Sequence, residues 1–136
     1  MPATTNPLKP KTQTPRGFKA LAKEIKDSAA SGAATFEIVA MIRHASTKYL
    51  FTCQQATELL EIETFFIAPR AHFQPRVEIL VALFGRTADW RGFAHVIGHL
   101  TPLEQQSFYR RVGRENAFDE VRASLGKHAM IVNHSP

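Results

Sequence analysis

His95 and His99 stand four residues apart, the spacing at which two imidazoles share one face of a helix and can chelate a metal ion. Val96, Ile97 and Gly98 lie between them, so the glutamate of a zinc-protease motif is missing. No carboxylate or cysteine close by is an obvious third ligand, and His44 and His72 can approach only through folding. Surface or packed histidines are the competing reading, and no metal is assigned. Cys53 falls in the first turn of a predicted helix, where the dipole favours a thiolate. With His44 it would make a Cys/His nucleophile, but a lone small cysteine beside a helix cap is more often packing. Neither a glycine-rich phosphate loop nor a nucleophile elbow occurs. The expectation is a non-enzymatic protein with no catalytic residue and no cofactor.

Charged and aromatic residues offer binding chemistry instead. Arg86, Arg91, Arg110, Arg111 and Arg114 put five positive charges into residues 86–114, against Asp89 and Glu104. Glu58, Glu61 and Glu63 make an acidic counterpart on the predicted third helix. Each cluster reads either as a solvated face or as half of a dipolar molecule suited to a charge-steered protein contact or head-to-tail association. Arg110, Arg111 and Arg114 can grip carboxylates or phosphates bidentately. Trp90 beside Arg91 at a helix start combines the two residue types that dominate interface hot spots, although a core tryptophan fits the pattern too. Trp90, Arg91, Arg110, Arg111 and Arg114 are therefore the predicted protein-binding set. Arg76 has apolar neighbours and is expected to be structural, paired with Glu78 or with an acid of the third helix.

The net charge of +5 sits at one end. Lys9, Lys11, Arg16, Lys19, Lys23 and Lys26 face only Glu24 within residues 1–26, while residues 27–136 are balanced. Such an arm on a neutral body weakens the case for a nucleic-acid-binding domain. It supports, as a second hypothesis, salt-sensitive binding of nucleic acid or an anionic membrane through the arm. Thr14-Pro15, flanked by Lys11 and Arg16, matches a proline-directed phosphorylation site whose phosphate would cancel part of that charge.

The elements that must position these residues are helical. The chain has 136 residues, enough for one core, and 44% of them are hydrophobic, enough to fold. Its single cysteine excludes an internal disulfide framework. No secretory signal pattern and no apolar run of membrane-spanning length is seen, so an intracellular, cytoplasmic protein is expected. Residues 1–15, with four prolines, read as a disordered basic tail; residues 16–126 read as one all-α domain of six to seven short helices, and 127–136 as a loose tail. The centre is Arg76 to Gly85, apolar nearly all round, with Pro75 at its first turn and Gly85 at its end. Predicted around it are helices over Arg16–Ser31 and Thr35–Thr47, the latter with Thr35 as cap and Phe36 in its apolar face. Another follows the Thr52/Gln55 capping box, one runs from an Asp89 cap to Leu100, and one follows Thr101-Pro102-Leu103-Glu104 up to Gly113. Leu103, Phe108 and Val112 are its predicted apolar positions, and Asn116 to Gly126 is predicted as a last helix. The basic helix over Arg16–Ser31 could lie on a membrane, but its narrow apolar face without tryptophan favours packing on the domain.

Phe51-Thr52-Cys53-Gln54-Gln55, Leu59-Leu60, Arg76 to Leu83, Asp89 and Phe93 occur in the order of landmarks of a small helical domain of unknown function found in bacteria and eukaryotes. Residues 36–113 resemble one copy of that family. The longer segment from Glu63 to Gln74, and the absence of an asparagine near Asp89-Trp90-Arg91, depart from its pattern. The resemblance implies a helical, binding domain and carries over no catalytic residue.

Overall fold

The structure is a computed structural model that describes residues 11–66 and 73–113. Six α-helices make up most of the described chain: α1 Pro15–Ala30, α2 Thr35–Ser46, α3 Cys53–Leu60, α4 Pro75–Leu83, α5 Phe93–Ile97 and α6 Pro102–Val112. Turns of 3-10 helix cover Glu63–Phe66 and Trp90–Gly92. The predicted all-α class is the observed one. Extended pairing includes a short parallel pair, β1 Lys11–Thr12 with β2 Tyr49–Leu50, and a bridge between Phe51 and Thr87. Lys9, His72, Arg114, the expected helix Asn116–Gly126 and the two outer tail segments, 1–10 and 127–136, lie outside the described residues.

α4 is the central element, packed against α2, α3, α6 and the turn at Glu63–Phe66. Pro75 opens it, and Val77, Ile79, Leu80 and Leu83 are buried. Gly85 follows with φ of 78°, a conformation that a Cβ would strain, and so lets the chain reverse. α3 starts with both halves of the expected capping box: Gln55 N–H donates to Thr52 Oγ1 at 3.0 Å, and Thr52 N–H donates to Gln55 Oε1 at 3.1 Å. α6 repeats the motif between Thr101 and Glu104. The core is rich in rings, with fully buried Phe108 meeting Phe84, Phe93 and Tyr109.

Several expectations need correction. Residues 11–15 belong to the fold rather than to a tail: Lys11–Thr12 pairs with β2, Gln13 N–H donates to Leu50 O at 2.7 Å, and Thr14 caps α1. Ala34, not Thr35, stands at the cap of α2, where the Glu37 carboxylate accepts its N–H at 3.0 Å. Phe36 is 64% exposed, since 100° per residue puts it about 120–160° round the helix from Ile38 and Ile42. Leu103, about 140° from Phe108, is 72% exposed for the same reason. The segment from Asp89 to Leu100 is not one helix but a 3-10 turn followed by the five-residue α5.

Candidate functional site

α1 presents the largest set of unengaged cations among the described residues. Its local sequence sets its start: Pro15 occupies the first helical position, and Thr14 Oγ1 accepts the Gly17 N–H at 2.9 Å. Phe18 and Ile25 point into the core, and Phe18 meets Phe51 edge-to-face with ring centroids 6.4 Å apart. The segment before the helix is held as well, because buried Gln55 donates from Nε2 to Gln13 O at 3.2 Å. A helix of 3.6 residues per turn then places Lys26, Lys19, Lys23 and Arg16 within an arc of about 80° on the side away from Ile25. All four are exposed. Asp27 borders the arc, and Lys23 Nζ donates to its Oδ2 at 2.7 Å. That hydrogen bond, with the charge attraction behind it, holds the Lys23 ammonium above its ordinary pKa. Arg16, Lys19 and Lys26 make no hydrogen bond or ion pair with any described residue.

The arginines of the second half are disposed differently. Arg76 is 5% exposed and uses all three nitrogens, Nε to Leu60 O at 3.2 Å, Nη1 to Glu104 Oε1 at 3.0 Å and Nη2 to His99 O at 2.6 Å. Its guanidinium also lies 4.6 Å from the Phe66 ring centroid. The expected ionic partner, Glu78 or an acid of α3, is thus replaced by Glu104 of α6. Glu78 instead takes Arg111 of α6 and, at 3.8 Å, Arg43 of α2. Arg86 donates from Nε to Ser46 O at 2.7 Å, tying the chain after α4 to the end of α2.

The predicted protein-binding set is therefore divided. Arg91 stacks on Trp90 at 5.1 Å, and Trp90 is half-buried. Arg110 is exposed on α6, whereas its neighbour Arg111 is engaged by Glu78. No hydrogen bond, ion pair or ring contact among the described residues joins the Trp90–Arg91 pair to Arg110 or Arg111. The acidic group is dispersed too. Glu58 stands exposed on α3, Glu61 faces His99 Nδ1 at 3.4 Å, and Glu63 belongs to the following turn.

The α-helical register that would align His95 with His99 stops at Ile97. No group of three or more potential metal-ligating side chains occurs among the described residues. Cys53 is built into the α3 start, its N–H donating to Asp89 Oδ1 at 2.7 Å and its Sγ to Asp89 O at 3.0 Å. Asp89 makes no side-chain cap on its own turn and caps α3 instead. That contact spans 36 positions, and only Asp89's type, a capping residue beside a turn, hinted at it. Asp27 was legible as an i, i+4 partner of Lys23 but did not enter the binding set.

No described helix is long and apolar enough to cross a membrane. Comparison of the chain with protein-family models, with curated proteins and with solved structures returned no match.

Proposed function

We propose that this protein is a non-enzymatic helical interaction module, acting in the cytoplasm, that binds an acidic protein partner through the exposed cationic face of α1. The observation that carries the reading is the arc of Arg16, Lys19, Lys23 and Lys26 on a helix whose opposite side is fixed in the core. A rigid element holds the charges in register before binding, so less ordering is needed than for a loose arm. Complementary charge of this kind raises the rate of encounter and makes binding salt-sensitive. The resemblance of residues 36–113 to a helical family of unknown function is taken as a proposal of the same kind, a binding domain.

Nucleic acid and anionic membrane are the alternative ligands for the same charges. Membrane burial is disfavoured because Phe18 and Ile25, the apolar residues α1 would insert, are in the core. Trp90 with the stacked Arg91 supports a second contact, independent of α1.

Deleting residues 1–26 is a poor test, since it would remove Phe18 and Ile25 from the core. Reversal of charge in the full chain is the clean one. The natural protein should be retained on immobilised polyglutamate at low salt, and the variant with Arg16→Glu, Lys19→Glu and Lys26→Glu should pass through with unchanged helicity. Equal retention of the two would overturn the reading.

A further inference from the structure

One flank of the cationic arc opens into a groove of about 1160 Å³ between α1 and the start of α3. Going round α1 at 100° per residue, Phe18, Ala22 and Pro15 come between the core side and the lysines. Pro15, exposed, and Ala22, half-buried, form the apolar floor over the buried Phe18, and Lys26, Lys19 and Arg16 stand at its rim. The far wall is polar, from Gln54 and Glu58 of α3. Both are exposed and four residues apart, so they share a side of that helix. Gln55 faces the groove too, but its amide is used by Gln13 and Thr52.

We propose that this groove is the docking site of an amphipathic acidic peptide segment of a partner protein, its carboxylates paired with Arg16, Lys19 and Lys26 and its apolar side chains set over Ala22 and Pro15. The inference rests on the cationic-face reading and adds to it the chemistry of the occupant. Charge complementarity selects the acid, because these three cations have no partner among the described residues. The floor selects the apolar component, because area beside a cationic rim remains in water unless a ligand covers it. The groove exceeds the 300–1,000 Å³ range of small-ligand pockets and is open along α1, which suits a segment of chain. A nucleic-acid strand fits less well. Phe18 is the groove's single ring and is 7% exposed, so no aromatic face is offered to a base. Asp27 competes for Lys23 at the edge of the site, and its removal should strengthen capture of carboxylates.

Fluorescence anisotropy on the full chain tests this with three probes of equal charge: a short peptide alternating glutamate and leucine, an all-glutamate and serine peptide, and a single-stranded oligonucleotide. The alternating peptide should bind at least about tenfold tighter than the other two, an affinity difference equal to about 1.4 kcal/mol. Ala22→Trp, which fills the floor without changing charge, should erase that preference, and Gln54→Trp should do so from the opposite wall. Asp27→Asn should tighten binding of both peptides. Circular dichroism on each variant keeps a folding defect apart from a binding defect. Equal affinity for all three probes, insensitive to either tryptophan, would overturn the groove assignment and leave the cationic face standing. Preference for the oligonucleotide would overturn the peptide assignment. Binding of none of them would overturn both the groove and the reading beneath it.

Discussion

Two basic regions of this molecule carry similar charge and do opposite things with it. In the second half, Arg76, Arg86 and Arg111 each reach a neighbouring element, contacting α6, the end of α2 and α4 in turn. In α1, Arg16, Lys19 and Lys26 reach nothing among the described residues, and Lys23 reaches only Asp27 of its own helix. Guanidinium, with five donors in a planar fork, can serve several acceptors at once, as Arg76 does; an ammonium on a flexible stem is left in water at little cost. A cluster of arginines near core elements therefore serves as cross-linking, while a stripe made mainly of lysine on an anchored helix stays in water.

Stability measurements should rank the two regions. Arg76→Ala should cost the most, about 3–5 kcal/mol, because it strips a buried guanidinium from two carbonyls and leaves the mostly buried Glu104 without its cation. Arg86→Ala should follow at about 1.5–3 kcal/mol, the range for a charged hydrogen bond to a carbonyl that then stays unpaired. Arg111→Ala should cost under about 1 kcal/mol, since its side chain is half exposed and the Glu78 pair is screened by water. Lys19→Glu and Lys26→Glu should each fall within about 0.5 kcal/mol of the natural protein. Urea denaturation followed by circular dichroism reads all five on one scale. A large loss from either lysine, or none from Arg76, would erase the distinction between the regions.

Binding should rank them the other way round. Arg111→Ala should leave polyglutamate affinity within about twofold, whereas the triple reversal of Arg16, Lys19 and Lys26 should lower it by at least about tenfold at low salt. The two orders together separate charge used inside the fold from charge used outside it.

How much of this was visible beforehand follows from the range of each interaction. The Thr52/Gln55 and Thr101/Glu104 caps are contacts across three positions, and their residue types announce them. The central helix was equally plain, because an apolar run closed by Pro75 and Gly85 has few alternatives. The α1 stripe was visible as composition, and only the extension of the tail over residues 11–15 is corrected, since β1 is two polar residues held by a strand far along the chain. Nothing local to Arg76 names Glu104, and nothing local to Cys53 names Asp89; both pairings exist only after the helices pack. The same applies to the groove. Ala22 and Gln54 carry no chemistry of their own and line one groove only once α1 and α3 are in place.

The central claim is that an acidic ligand is taken by α1, separately from any contact made through Trp90 and Arg91. Titrating polyglutamate into isotopically labelled protein and following backbone amide resonances tests it directly. The largest shifts are expected at Arg16, Lys19, Ala22 and Lys26, with Trp90, Arg91 and Arg110 unmoved. Shifts concentrated at Trp90, Arg91 and Arg110, with α1 silent, would contradict it.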